Sequence, residues 1–195
     1  MPVPSRQPPP PSRAEERALL ERVAAGDGDA FAGLYDLYHP RLVRYLYRLT
    51  RSAELVDEVV NDVMMAVWHG AGGFRGHSRV STWVLGIAYR QAMKALGRRK
   101  RRGVSVEPAQ LDRAGGGEDR AMQSRELRLT LDAALGELSP DQRAVVELTY
   151  YHGYSYPEIA EIMEIPLGTV KTRMFHARKL LRAALRRAER PVRGL

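Results

Sequence analysis

The sequence predicts an all-α protein: two small helical domains, an N-terminal helical bundle and a C-terminal helix-turn-helix domain, joined by a flexible linker. Three observations predict it. Apolar residues recur at helical spacing through most of the chain. No segment sustains the alternation of a strand. Between the two periodic stretches, residues 103–125 carry Pro108 and the run Gly115-Gly116-Gly117 with few apolar residues, a composition that cannot sit inside a helix without large cost.

Residues 1–13 come first. Pro8 to Pro11 are consecutive, so an extended, disordered leader is expected there. From Ala14 the character changes: Leu19, Leu20, Val23 and Ala24 recur at helical spacing until Gly26. Asp29 is placed to cap a second helix with Phe31, Leu34, Tyr35, Leu37 and Tyr38. Pro40 is expected to open a third, with Leu42, Val43, Leu46 and Leu49. Ala53–His69 is a longer helix striped with Val56, Val59, Val60, Val63 and Val67. A glycine-rich loop, Gly70–Gly76, leads to a helix over Ser81–Leu96 that holds Trp83, Val84, Ile87, Ala88 and Met93. The first domain is thus expected over residues 14–102, as four or five helices. The linker of 103–125 would reach ~75 Å extended and average roughly 25–30 Å as a coil.

Helices resume in the second domain, expected over residues 126–190. Leu127, Leu131, Ala134, Leu135 and Leu138 precede Ser139-Pro140, a helix start signal, and Val145, Val146, Leu148 and Tyr151 follow. Ser155-Tyr156-Pro157-Glu158 fits a capping box, with Ile159, Ala160 and Met163 on one face of the short helix behind it. Ile165-Pro166-Leu167-Gly168 makes a break. Thr169 then begins a long helix whose buried stripe is Val170, Met174, Ala177, Leu181 and Ala184. Short helix, tight turn and long basic helix is the helix-turn-helix pattern.

Composition narrows the function. The chain has 195 residues with 31 Lys+Arg against 23 Asp+Glu, a net charge of +8, and an isoelectric point near 10.0. A basic balance favours an acidic partner, most often nucleic acid. The charge is segregated. Between Lys171 and Arg193 stand nine Lys/Arg and one acid, whereas Glu126–Ile165 holds eight acids and two arginines. A basic helix and an acidic face point to two different partners. Cysteine is absent, which excludes disulfide scaffolds, Cys-ligated metals and thiol chemistry. The longest apolar run is the six residues Val63–Trp68, so no membrane insertion is expected, and no secretory signal is visible. A cytoplasmic protein follows. No enzyme, cofactor or metal is expected either. The five histidines are scattered without an HExxH pair, and the triple glycine lacks the Lys-Ser/Thr of a phosphate-binding loop.

The chain resembles bacterial RNA polymerase sigma factors of the extracytoplasmic-function (ECF) group. LSPDQRAVVELTYYHGYSYPEIAEIMEIPLGTVKTRMFHARKLL is similar to region four of that family, with its IPxGTVKxR core. VDEVVNDVMMAVW looks like the region-two helix that docks on core RNA polymerase. FRGHSRVSTWVLGIAYRQAMKALGRRKRR looks like the segment that melts and reads the −10 element. The resemblance spans Arg17–Arg102 and Glu126–Arg187, in family order.

What it implies is specific. Asp57, Glu58, Asn61, Asp62 and Met65 would meet core polymerase. Phe74, Arg75, Gly76, His77, Ser78 and Arg79 would form the loop that holds a flipped −10 base. Trp83, Arg90, Arg98 and Arg99 would contact the same element, with many relatives carrying Asn where Arg90 stands. Lys171, Thr172, Phe175 and His176 would fall at base-edge and sugar positions of the −35 element and Arg173 and Arg178 near its phosphates, with Thr169 and Lys179 contacting the same element. Physically, a site for single strands needs aromatic surface and a basic track, and the first set supplies both. Trp68 and Met64 are expected in the core, and Trp83 is open between a stacking role and a core role. The partners implied are core RNA polymerase, promoter DNA and an anti-sigma factor. The alternative is a stand-alone helix-turn-helix regulator that dimerises through its N-terminal bundle.

Overall fold

The computed structural model describes residues 12–103 and 129–188. Most of the predicted leader, the linker of 103–125 beyond Gly103, and the ends of the second predicted domain lie outside the described residues. Among the described residues the chain is helical, with eight α-helices and one short 3-10 turn.

Helix α1 spans Arg13–Ala24. Ser12 starts it with a capping box: its Oγ accepts from the Glu15 N–H at 3.3 Å, and its own N–H donates to the Glu15 carboxylate at 2.7 Å. Leu20 and Val23 are its buried apolar residues, with Glu16 buried one turn earlier. Helix α2, Gly28–Thr50, starts at Asp27, whose carboxylate accepts from the Ala30 N–H.

Here the sequence expectation of two helices divided at Pro40 is corrected, because α2 runs straight through the proline. A proline in a helix interior costs ~3 kcal/mol through its lost hydrogen bond and ring clash. The apolar stripe Leu34, Tyr38, Leu42, Tyr45, Leu46 and Leu49 is continuous across that position and fully buried. Each such side chain contributes ~1.5–3 kcal/mol on burial, so packing overrides the break.

Helix α2 ends at Arg51, a left-handed residue at φ 55°. Helix α3 spans Ala53–Gly70, and its valine stripe is buried as expected, with Met64 beside it. The 3-10 turn Ala71–Gly73 leads into the loop before α4, Val80–Arg101. Helix α4 therefore takes in the basic run that begins at Arg98. Helices α1 to α4 form the first bundle, with α2 and α4 both packed on α3.

In the second unit, α5 is described over residues 129–136. Helix α6, Pro140–Tyr150, opens with a second capping box, Ser139 with Gln142. Helix α7, Tyr156–Met163, opens with a third, in which Glu158 accepts from both the N–H and the hydroxyl of Ser155. It stops at Glu164, again left-handed at φ 53°. Helix α8, Leu167–Ala188, lies across α6 and α7. Ile159, Ile162, Met163, Val170, Met174 and Ala177 close the small core between them.

The two units are not separate bodies. Helix α4 packs on α7, and α2 packs on α6. Their buried apolar residues form one continuous cluster from Leu20 to Ala177. Polar groups stitch the seam. Arg143, on α6, is buried and donates to the carbonyls of Leu135 and Leu138 at 3.0 and 2.9 Å and, across the seam, to Leu49 O at 3.0 Å. Leu49 and Leu135 stand at the ends of α2 and α5, where carbonyls run out of helical donors, and Leu138 stands in the link before α6. Burial and the nearby Arg51 lower the Arg143 pKa to about 10, so it stays charged at neutral pH. Arg48 pairs with the buried Glu147 at 3.3 Å, and Arg51 with Asp132 at 2.9 Å.

Candidate nucleic-acid interface

Three surfaces carry the residues that the sequence singled out. The first is the outer face of α8. Its inner stripe, Val170, Met174 and Ala177, is buried. The helical period therefore turns Lys171, Thr172, Phe175, His176, Arg178 and Lys179 outward, and all six are exposed. Phe175 is 66% exposed, far more than a ring with a structural role needs, and lies edge-on to His176. Thr169 is half-buried at the first turn. Arg178 is steadied by the Tyr150 hydroxyl, to which its Nε donates at 3.1 Å.

Arg173 behaves differently from its neighbours. It turns inward and donates to Asp141 at 2.8 Å. The reason is its register: it sits one residue before Met174, on the edge of the buried stripe.

The second surface is the loop 74–79 with the start of α4. Arg75, Gly76, His77 and Arg79 are exposed, and Ser78 is half-buried. Gly76 sits at φ 71°, a conformation that a side chain would strain. Phe74 and Trp83 pack on each other with ring centroids 5.3 Å apart. Trp83 also lies so close to Gly70 that a Cβ there would meet its ring at 3.2 Å. It is half-buried as the wall behind the loop. Trp68 sits edge-on to Phe31 and Met64 is buried, as the sequence suggests.

The loop borders a cleft of about 380 Å³ lined also by Arg13 and Arg17 from α1. The sequence reading missed these two cations. They are an i, i+4 pair on the exposed face of α1, but nothing local says that α1 returns to the loop. Farther along α4, Arg90 is exposed, and Arg98 and Arg99 are half-buried. Arg98 pairs with Glu58 at 2.6 Å, and Arg99 with Glu54 at 3.1 Å and the Ser52 hydroxyl at 2.9 Å. The front of the basic run is thereby tied to α3.

The third surface is the polar face of α3. Asp57, Glu58, Asn61, Asp62 and Met65 are all exposed on one side, opposite the valines. Met65 is 54% exposed among these acids.

Among the described residues, no group of His, Asp or Glu is arranged to hold a metal ion, and no helix is long and apolar enough to cross a membrane.

Comparison with known proteins places these surfaces in a family. Residues 34–102 match sigma-70 region 2, and residues 128–181 match sigma-70 region 4. The RNA polymerase sigma-H factor of Pseudomonas aeruginosa is 30% identical over 184 residues, covering 89% of this chain and 95% of its own length. The ECF RNA polymerase sigma-E factor of Escherichia coli is 31% identical, covering 85% of this chain and 92% of its own. Among solved structures, the sigma factor RpoE in complex with the anti-sigma factor NepR from Bartonella quintana superposes with a TM-score of 0.66 at 25% identity. The match covers 80% of this chain and 96% of that one. CnrH, solved in complex with the cytosolic domain of CnrY, has the same fold, with a TM-score of 0.64 at 24% identity over 88% of this chain and 97% of that one.

With both regions in order along one chain, and relatives matched over nearly their whole length, the protein belongs to the sigma-70 family as an RNA polymerase sigma factor of the ECF group.

Proposed function

We propose that this chain directs core RNA polymerase to promoters by binding the −35 element with α8 and opening the −10 element with α4 and the loop 74–79. The observation that carries this is the outward face of α8, where Lys171, Thr172, Phe175, His176, Arg178 and Lys179 stand exposed over a fully buried stripe. Lys171, Thr172, Phe175 and His176, near the helix start, suit base edges and sugars; Arg178 and Lys179, a turn farther on, suit phosphates. Arg173 reaches DNA only after letting go of Asp141.

Residues 14–102 act as the −10 and polymerase-binding unit, and 126–190 as the −35 unit. His77 and Arg79 with Arg13 and Arg17 give the cleft four basic or imidazole side chains, set against Glu16, Glu158 and Glu161, and exposed Arg75 stands beside it in the loop. Phe74 lines it with Trp83 packed behind, and Arg90, Arg98 and Arg99 extend the track along α4. The exposed face of Asp57, Glu58, Asn61, Asp62 and Met65 serves polymerase docking. An anti-sigma factor is the further partner, supported by the anti-sigma factor NepR bound to the RpoE neighbour. The protein works in the cytoplasm, where its polymerase is.

Run-off transcription with purified core polymerase on a genomic promoter pool tests the reading. Transcripts that depend on this chain and start from asymmetric −35/−10 sites are expected. Absence of initiation from every promoter, with the chain alone shifting a palindromic site as a dimer, would overturn it in favour of a stand-alone regulator.

A further inference from the structure

We propose that a basic cleft between α2 and the link from α6 to α7 binds a nucleoside diphosphate, with its phosphates on Arg41, Arg44 and Arg48 and its base on the tyrosines of that link. The site does not depend on the promoter reading.

The three arginines stand at i, i+3 and i+7 of α2, so one face of the helix carries them all. They line a cleft of about 450 Å³, a size that takes small molecules. Tyr151, His152 and Tyr154 line it from the link that follows α6. No carboxylate is among its lining residues, whereas the cleft beside the loop 74–79 is lined by Glu16, Glu158 and Glu161. Counter-charge at this surface is left for a ligand to supply.

The acids that reach these arginines are buried behind them. Arg41 lies 3.6 Å from Glu16, and Arg48 lies 3.3 Å from Glu147. A guanidinium has five N–H donors, so a contact with one buried acid steadies it and leaves other donors for a ligand. Arg48 is held a second time, with its guanidinium 3.5 Å from the centre of the Tyr151 ring. Arg44 is exposed. Its Nε donates to Pro40 O at 3.2 Å, and it has no carboxylate partner among the described residues.

His152 senses the field of all three. Burial, then Arg44, Arg48 and Arg41, lower its pKa to about 4, so at neutral pH the ring is uncharged and offers one donor and one acceptor. Its ring is set edge-on to the buried Tyr45, with centroids 5.5 Å apart.

The ligand class follows from these groups. Several guanidiniums on one face match the several oxygens of a diphosphate, which arginine takes two at a time. Tyrosine rings give a flat surface on which a base can stack. A cleft of this volume takes one nucleotide rather than a strand.

Isothermal titration calorimetry of the full chain tests the site, at ~0.15 M salt so that loose charge attraction is screened. The probes are ADP, GDP, CDP and UDP, with adenosine and inorganic pyrophosphate beside them. Saturable binding of at least one diphosphate is expected, with pyrophosphate weaker and adenosine not binding. Arg44→Gln should weaken it ~10-fold or more, through the loss of a charge-assisted hydrogen bond. Arg186→Gln makes the same charge change at an exposed position of α8 and should leave it unaltered. Tyr151→Ala should weaken the nucleotide more than pyrophosphate. Arg44 and Tyr151 are both exposed, and melting curves check that the variants remain folded.

No binding by any of the four diphosphates, or equal losses in Arg44→Gln and Arg186→Gln, would overturn the site. Pyrophosphate binding as tightly as the best nucleotide would overturn the role of the tyrosines, and the nucleoside diphosphate with it. A loss of single-stranded DNA affinity in Arg44→Gln without a loss of nucleotide affinity would assign the cleft to nucleic acid instead.

Discussion

Arg143→Ala tests the seam most directly. The guanidinium is buried and donates to the carbonyls of Leu49, Leu135 and Leu138 at 2.9–3.0 Å, with Gly136 O farther off at 3.4 Å. Truncation removes this donor from all of them. The bonds to Leu49 and Leu138 are buried, whereas those to Leu135 and Gly136 are partly open to water, which can replace the donor. A buried acceptor left bare costs ~1–3 kcal/mol, and two carry that full penalty. Against this stands the cost of burying the charge itself, visible in its pKa of about 10, which the variant recovers. The net expectation is a loss of ~2–4 kcal/mol, and at ~2–4 °C per kcal/mol for a chain of this size the melting temperature falls by ~5–15 °C. Circular dichroism melting of the full chain reads it. Arg143→Lys, which keeps the charge but not the planar fork, should recover less than half of the loss. A fall below about 2 °C for Arg143→Ala would refute the reasoning, since the carbonyls would then have found other donors.

Other expectations follow from the same geometry. Burial pushes the Glu147 carboxyl up to about 7, above its value in an unfolded chain, so its contribution is fully present below about 4.5 and is lost as pH rises through about 7. Glu147→Gln should therefore match the native chain in stability at acid pH and exceed it progressively up to pH ~7, measured as melting temperature against pH; a difference independent of pH refutes it. His152 has the opposite sense: burial and the nearby arginines Arg44, Arg48 and Arg41 lower it to about 4, so its stabilisation is lost as pH falls from 6.5 towards 4. His152→Gln should abolish that acid-side loss. Lys171→Ala should relax preference at one or two −35 positions by ~1–3 kcal/mol. Arg178→Ala should weaken binding evenly across sequences and flatten its salt dependence, and titrations of promoter variants at two salt concentrations separate the two. Met65→Asp should leave the melting temperature nearly unchanged, within ~0.5 kcal/mol for an exposed site, while lowering affinity for core polymerase ~10-fold or more. Equal affinity in a pull-down titration would remove Met65 from that surface.

Much of this protein was legible in its sequence because the signals are local. The Ser139-Pro140 start signal and the box at Ser155–Glu158 involve groups at most three residues apart. The stripe Val170, Met174 and Ala177 fixes which face of α8 looks outward, because one turn of helix determines the next. The same stripe logic on α3 separated Asp57, Glu58, Asn61, Asp62 and Met65 from the valines. Pro40 misled the reading for the converse reason. A local breaker was outweighed by six buried side chains whose partners lie on other helices.

Only the tertiary structure decided what those faces meet. Arg90 with Glu164, 74 residues apart, and Arg48 with Glu147, 99 apart, have no signature in the chain, since opposite charges at such separations pair only where packing brings them together. Packing likewise turned Arg173 inward, tied Arg98 to Glu58, and brought Arg13 and Arg17 to the loop 74–79. The sequence by itself determined two basic helices and the acidic faces beside them. The fold decided that the two units close on each other. Capping and periodicity are settled within a turn of helix, whereas the seam depends on distant helices meeting, as where α4 and α7 approach so closely that a Cβ at Gly86 would lie 3.3 Å from the Ile162 carbonyl oxygen.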